Sequence, residues 1–203
     1  MSAEGVSADP RWQAFNQDGL PCSCGDRHVG LFPINMLAPL GWDGQPDYEP
    51  DEAIALDRTF ISSSYCVWEG QNFAMRMRLP IQIRGAEPAA FMYTVWAAVD
   101  RASLEAYLAA KQTNTLDNKS RFGARLVSRI AGHHDTSNLM GIAFQQQDGW
   151  PPLLLLAGPQ PYTNRPDNPI IAEQRHGIDL DRALDLFAAY GHDMRPAAPA
   201  NHN

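Results

Sequence analysis

Three residues near the amino terminus have side chains that bind metal ions well. Cys22, Cys24 and His28 lie within seven residues of one another, and Gly25 directly follows the second cysteine. Thiolate and imidazole groups are typical zinc ligands, and glycine permits the tight backbone turn that a metal knuckle requires. A structural zinc ion takes four ligands, and Cys66 is the only other cysteine in the chain. Zinc is therefore the candidate cofactor, and Cys22, Cys24, His28 and Cys66 are its candidate ligands.

The same cysteines also have a simpler interpretation. Their spacing is C-x-C rather than the C-x-x-C of the usual zinc knuckle, and no second knuckle follows. In this interpretation Cys66 is a small buried core residue and the other two thiols line a loop. A thioredoxin-like redox function is disfavoured, because no C-x-x-C motif stands at the start of a helix.

Two other groups of polar residues are candidates for binding or catalysis. The triplet at 133–135 (His-His-Asp) lies between two predicted strands and is typical of a solvated loop, since adjacent side chains diverge. Arg76, Arg78 and Arg84 form a row that suits an anion, although such rows are more often solvated. The chain lacks the glycine-rich nucleotide motifs, the H-E-x-x-H motif and the G-x-S-x-G motif. The sequence thus gives no positive case for an enzyme.

Composition limits the class of protein and its partners. The chain has 203 residues, of which 44% are hydrophobic, so it can bury a substantial core as one domain. Its net charge of −7 makes nucleic acids and anionic membranes poor partners and favours a basic protein. No apolar run is long enough to span a membrane, and the first residues lack the features of a signal peptide. We expect a cytoplasmic protein whose cysteines are reduced.

The elements that must position these residues can be predicted from hydrophobic periodicity. Apolar residues alternate with others from Phe73 to Ile83, which predicts a strand with one buried face. Residues 89–99 are apolar on both faces, which predicts a central strand and a core position for Trp96. Asp100 and Asp179 are expected to begin helices.

Further segments complete the predicted architecture. The remaining predictions are a short helix at 51–58, strands at 59–68, 120–131, 138–146 and 152–157, helices at about 101–112 and from 179 to 191, and an ambiguous segment at 168–175. Several consecutive strands with few helices indicate an α+β fold with a mostly antiparallel sheet and a few packing helices. We expect a single domain at 12–192 between flexible tails at 1–11 and 193–203.

Several short motifs occur in an order that is familiar. They are Cys24-Gly25 with His28, Tyr65-Cys66-Val67, Val95-Trp96, Pro151-Pro152, Asn168-Pro169-Ile170, Glu173-Gln174-Arg175 and Gly177-Ile178. In this order the chain resembles a bacterial family of uncharacterised proteins, domain of unknown function twenty-one ninety-nine, from about residue 20 to residue 190. The family pattern begins C-x-x-C-G-x-x-H and contains an H-P-L element; here the first cysteine is displaced to Cys22 and Asn168 replaces that histidine. The resemblance implies a shared fold and no particular activity.

These observations favour a non-catalytic binding or interaction protein with a structural metal knuckle. One version is an immunity-like protein that neutralises a basic partner, an idea supported by charge alone. The alternative is a small enzyme with a pocket near Cys24, His28 and the residues around Glu173. A deep cleft that contains a titratable group with a strongly shifted pKa would favour the enzyme.

Overall fold

A computed structural model describes residues 6–156 and 168–195 of the chain. Its strands are β1 Leu20–Pro21, β2 Arg27–His28, β3 Ile34–Asn35, β4 Phe60–Ile61, β5 Tyr65–Trp68, β6 Asn72–Gln82, β7 Ala90–Val99, β8 Arg121–Leu126, β9 Met140–Phe144 and β10 Leu153–Leu156. Its α-helices are α1 Pro10–Gln17, α2 Arg101–Gln112, α3 Pro169–His176 and α4 Leu180–Ala188. The tails predicted at 1–11 and 193–203 fall partly outside the described residues.

Eight strands form one mixed sheet in the order β3-β7-β8-β9-β10-β6-β5-β4. An additional pairing between β6 and β7 closes β6, β7, β8, β9 and β10 into a ring of five strands. The pairs β3–β7 and β10–β6 are parallel, whereas neighbouring pairs such as β6–β7 and β8–β9 are antiparallel. The predicted α+β class is confirmed, and the sheet is mixed because the ring can close only through the parallel pair β10–β6.

The alternation predicted for residues 73–83 is confirmed by the burial of β6. Phe73, Met75, Met77 and the next three odd-numbered residues are all buried, whereas Arg76 and Arg78 remain partly exposed. These buried side chains belong to the main apolar core, which the helices also help to form. Odd-numbered residues of β6 therefore face the main core, and even-numbered residues lie on the opposite face of the sheet.

Trp96 is fully buried, as the sequence predicted, but it belongs to a second and smaller core. Its neighbours there include Ile61, Cys66 and Val127, on the opposite face of the sheet from the main core. The indole N–H donates a hydrogen bond of 3.0 Å to the carbonyl oxygen of Met36. The loop that contains Met36 thus covers this part of the sheet and satisfies the one polar group of the tryptophan.

Helices α2 and α4 begin where the capping aspartates predicted. Asp100 accepts a 2.8 Å hydrogen bond from the amide of Ser103, and Asp179 accepts one of 2.9 Å from the amide of Arg182. Such bonds satisfy amide groups of the first turn that have no partner within the helix. None of the helices in the described ranges combines the length and apolar character needed to cross a membrane.

Some elements differ from the prediction. The strand expected at 59–68 is a hairpin of β4 and β5, because Ser62 turns the chain by accepting amide hydrogen bonds from Ser64 and Tyr65. Only a 3₁₀ turn, Asp51–Ala53, forms in the segment expected to be a short helix. The ambiguous segment at 168–175 is helix α3, capped by Asn168.

Candidate metal centre

The hairpin of β1 and β2 brings the three amino-terminal ligand candidates together. Its loop is closed by hydrogen bonds from the Cys22 amide to the Asp26 carbonyl, 2.9 Å, and from the Gly25 amide to the Cys22 carbonyl, 3.0 Å. Gly25 has φ of +95°, a conformation that side-chain-bearing residues rarely adopt. The chain therefore reverses at Gly25 and returns His28 to the same end of the hairpin as Cys22 and Cys24.

A segment from the far end of the described chain packs against this loop. Ser23, which stands between the two cysteines, donates its amide to the Asp193 carbonyl at 2.9 Å and its hydroxyl to the Gly191 carbonyl at 3.2 Å. The Asp193 amide donates back to the Ser23 hydroxyl at 3.1 Å. These three bonds flank His192 on both sides and hold it against the cysteines.

Four potential ligand atoms converge here, from Cys22, Cys24, His28 and His192. All of them lie within 4.8 Å of one another. The Cys24 sulfur is 3.2 Å from Nε2 of His28, and the Cys22 sulfur is 3.9 Å from Nδ1 of His192. Ligands of one tetrahedral zinc ion are separated by roughly 3.3 to 3.8 Å, given bond lengths of about 2.0 to 2.3 Å. This cluster could hold a metal ion with only small adjustments of its side chains.

Aromatic rings fix the orientation of the two histidines. The His28 ring lies tilted against Phe32, with ring centroids 4.7 Å apart, and meets the His192 ring edge-on at a centroid distance of 5.0 Å. Phe32 in turn lies 4.3 Å from Phe187 of α4, which is part of the main core. The site therefore has an apolar wall on one side, while Cys24 is exposed on the other. Fixed imidazoles lower the conformational entropy lost when an ion is bound.

The thiols carry further signs of a ligand set. The Cys24 amide approaches the Cys22 sulfur at 3.5 Å, as backbone amides do around metal-bound sulfur ligands. A backbone hydrogen bond at Asp26 lowers the pKa of Cys24, but its interactions with the Cys22 thiol and partial desolvation outweigh this and raise the pKa above its usual value. Without an ion the Cys24 thiol thus keeps its proton at neutral pH. An ion bound here must displace that proton.

Cys66, the fourth ligand predicted from the sequence, lies elsewhere. It is fully buried on β5, in the small apolar core with Ile61, Ala74 and Trp96, and it is not among the converging residues. His192 takes the position that the sequence prediction gave to this thiol. No local pattern indicated His192, since it lies 170 residues from Cys22. Its one distinctive feature in the sequence was its place just after Gly191, in the turn that follows α4.

A second polar cluster surrounds His133, whose side chain is fully buried rather than solvated as the sequence suggested. Its Nε2 lies 2.6 Å from one carboxylate oxygen of Glu173, and the other oxygen accepts a 2.8 Å bond from Arg182. Burial raises the pKa of Glu173, but the pairing with His133 and Arg182 outweighs it and holds the pKa below its usual value. Neither His133 nor Glu173 belongs to the metal-ligand cluster.

The chain matches the family model described as an uncharacterised protein conserved in bacteria, DUF2199, over residues 21–178. The chain belongs to this family. The family match covers Cys22, Cys24 and His28 and ends before His192, so the fourth ligand candidate rests on the structure alone. No curated protein and no solved structure matches the chain.

Proposed function

We propose that this chain is a non-catalytic binding protein whose fold is locked by a structural zinc ion held by Cys22, Cys24, His28 and His192. The observation that supports it best is the convergence of two sulfur and two nitrogen ligand atoms within 4.8 Å. Two thiolates and two imidazoles form a donor set that suits zinc, whereas calcium and magnesium prefer oxygen ligands. The proposal includes a reducing, cytoplasmic compartment, because oxidised thiols would not bind the ion.

The origin of the ligands favours a structural role for the ion. Catalytic zinc sites have three protein ligands and an open position for water, whereas structural sites have four protein ligands. Here the four candidates come from two segments far apart in sequence, which already share the hydrogen bonds of Ser23. An ion at this position would join the β1–β2 hairpin to the segment that follows α4.

The residues of the alternative, an enzyme near Cys24, His28 and Glu173, are arranged less favourably. The carboxylate of Glu173 is paired with His133 and Arg182, and this pairing holds its pKa below the usual value, which makes it a weaker base. A cavity of about 490 Å³ between α1 and the start of α4 is also lined by paired charges. In it Arg11 binds Asp181 at 2.5 Å and Arg84 binds Asp179 at 3.0 Å. These arrangements favour binding over catalysis.

The negative net charge of −7 supports a basic protein as one partner at long range. Immunity-like neutralisation of such a partner is one form of this proposal, and charge is its only support.

The zinc site is tested by the metal content of the purified, reduced protein. We expect about one zinc ion per chain by plasma mass spectrometry, and only a small fraction of this in Cys24→Ser and His192→Ala. Two control variants, Cys66→Ala and His176→Ala, remove a thiol and an imidazole outside the cluster and should keep the wild-type content. Cobalt should replace zinc and show the strong visible absorption of a tetrahedral thiolate site.

Three results would contradict the proposal. Zinc retained in full by His192→Ala would show that this histidine is not a ligand. Zinc lost from Cys66→Ala while the protein remains folded would place the fourth ligand in the core. Cobalt spectra that change when small anions are added would show an open coordination position and would favour a catalytic ion instead.

A further inference from the structure

The charge of the strand ring differs from that of the whole protein. The chain has a net charge of −7, but the five strands of the ring, β6 to β10, contain four arginines and neither aspartate nor glutamate. The cross-strand register places all four arginines on the face opposite the main core. The ring therefore presents a locally positive outer surface on an otherwise acidic molecule.

Part of this surface is apolar and uncovered. We call it the β8–β10 outer face, and its residues are Arg121, Gly123, Arg125, Met140, Ile142 and Leu155. Gly123, Ile142 and Leu155 lie side by side on β8, β9 and β10, and Arg125 pairs with Met140. Met140, Ile142 and Leu155 are 41%, 42% and 43% exposed. Adjacent exposed apolar side chains on the outside of a sheet are a feature of binding surfaces.

The neighbouring part of the same face is covered by the chain itself. There Trp96 is fully buried under the loop that contains Met36. Arg76 donates hydrogen bonds to the carbonyls of Ser63 and Met36. The β8–β10 outer face lacks such a cover among the described residues.

The two arginines of the β8–β10 outer face have no acidic partner in the described ranges. Arg125 donates to the uncharged amide oxygen of Asn138, and Arg121 makes no ion pair or side-chain hydrogen bond there. A guanidinium group gains most from a carboxylate, which it can bind through two parallel hydrogen bonds. Arg121 and Arg125 therefore favour a partner that carries carboxylates.

We propose that the β8–β10 outer face binds an acidic protein segment that also carries apolar side chains. The apolar residues would be buried against Ile142 and Leu155, while carboxylates pair with Arg121 and Arg125. A mixture of arginine, methionine and aliphatic side chains is typical of protein interfaces. A nucleic acid fits less well, because the apolar centre offers nothing to a phosphate backbone and the net charge repels it at a distance.

The test uses fluorescence anisotropy with short labelled peptides of defined composition. We expect a peptide of alternating glutamate and leucine to bind the wild-type protein, and a lysine–leucine peptide of equal length to bind at least about tenfold more weakly. The variant Arg121→Glu/Arg125→Glu should lower the affinity for the acidic peptide at least about tenfold. Ile142→Ser should lower this affinity even at high salt, where charge is screened.

A control variant with the same change in net charge tests whether binding depends on the β8–β10 outer face or on the charge of the whole protein. Arg129→Glu/Arg175→Glu changes the net charge equally at two exposed arginines outside the ring strands and should leave binding within about twofold of wild type. Zinc content and near-ultraviolet circular dichroism should be unchanged in every variant, so failure of this proposal is distinguishable from failure of the zinc site.

Four outcomes would overturn the proposal. They are no binding of the acidic peptide, equal loss in the control variant, tighter binding of a labelled oligothymidylate that depends on Arg121 and Arg125, and concentration-dependent dimers that the Ile142→Ser change abolishes. The third outcome would assign the face to nucleic acid, and the fourth would assign it to a second copy of the chain.

Discussion

The three cysteines of the chain differ in what surrounds their sulfur atoms. Cys22 and Cys24 lie in the loop of the β1–β2 hairpin with histidine nitrogens nearby, whereas Cys66 is enclosed by apolar side chains. Burial raises the pKa of Cys66 to about 12, so this thiol keeps its proton at every pH at which the protein is handled. Only the thiolate reacts with electrophiles, which makes reactivity a measure of environment.

We expect iodoacetamide at pH 8 to modify Cys22 and Cys24 in metal-free native protein and to leave Cys66 unmodified until the protein is denatured. Zinc should protect the two loop cysteines from modification and should not change the reactivity of Cys66. Mass spectrometry of proteolytic fragments measures all three sites in one sample. Rapid modification of Cys66 in the native protein would contradict its burial.

Glu173 makes the buried His133 cluster sensitive to acid. The pKa of Glu173 is lower in the folded protein than its usual value of 4.5, so its pairing contributes stability above that value. The contribution is lost as the pH falls through the folded pKa. We expect Glu173→Gln to lose roughly 1 to 3 kcal/mol of unfolding free energy at pH 7, with the difference from wild type shrinking below pH 4.5. Urea melts across this range measure it, with Glu105→Gln on the exposed surface of α2 as control.

Two buried tyrosines, Tyr93 and Tyr190, differ in whether their hydroxyl groups are hydrogen-bonded. The hydroxyl of Tyr93 has no hydrogen-bond partner in the described part of the chain, whereas that of Tyr190 accepts a 2.9 Å bond from the Ala131 amide. Removing an unsatisfied hydroxyl costs little, while removing an acceptor leaves a buried amide unpaired. Tyr190→Phe should therefore cost about 1 kcal/mol or more, and Tyr93→Phe clearly less. Equal losses in thermal melts would show that Tyr93 has a partner.

Strand β6 pairs with three others, β5, β7 and β10, as β7 does with β3, β6 and β8. Its odd-numbered residues face the main core, so a charge at one of them has no water and no partner. We expect Met77→Asp to remove more than about 4 kcal/mol of stability and to prevent accumulation of folded protein. Gln82→Asp, at the exposed end of the same strand, should fold normally as judged by circular dichroism.

Elements with a strong local signal could be predicted from the sequence, and those that depend on tertiary contacts could not. The alternation of β6 and the capping aspartates of α2 and α4 act within a few residues, and all three elements were predicted correctly. Helix α1 buries only Phe15, so its sequence shows almost no apolar periodicity. No helix was predicted there, and only its first two residues fall within the tail predicted at 1–11. Ring closure through β10 and β6 joins distant segments and has no local signal.

The same distinction applies to the candidate metal centre. Cys22, Cys24 and His28 are close in sequence, and a turn at Gly25 is enough to bring them together. The fourth member required the packing of the whole chain, because His192 reaches the cysteines only after α4 has docked on the main core. Cys66 was predicted as the fourth ligand from its residue type alone, and residue type does not indicate which face of a strand a thiol occupies.

At the scale of the whole molecule, a zinc ion would stabilise the folded chain by its binding free energy. With free zinc a thousandfold above its dissociation constant, this amounts to about 4 kcal/mol, or roughly 10 °C in melting temperature for a chain of this size. We expect a chelator to lower the melting temperature of the wild type by roughly this amount, about 10 °C. His192→Ala should melt near the chelated wild type and respond little to the chelator. An equal chelator effect in both proteins would place the ion elsewhere.

The hydrogen bonds of Ser23 and the cluster beside it join parts of the chain that are synthesised at different times. Three of the four ligand candidates emerge from the ribosome early, and the fourth is 170 residues behind the first. A nascent chain can thus offer only an incomplete set of donors, with low affinity, until all of the ring strands and α4 have been synthesised. Uptake of the ion would then mark the completion of folding, and a chain that failed to dock its last helix would leave two thiols open to oxidation or to quality-control proteases.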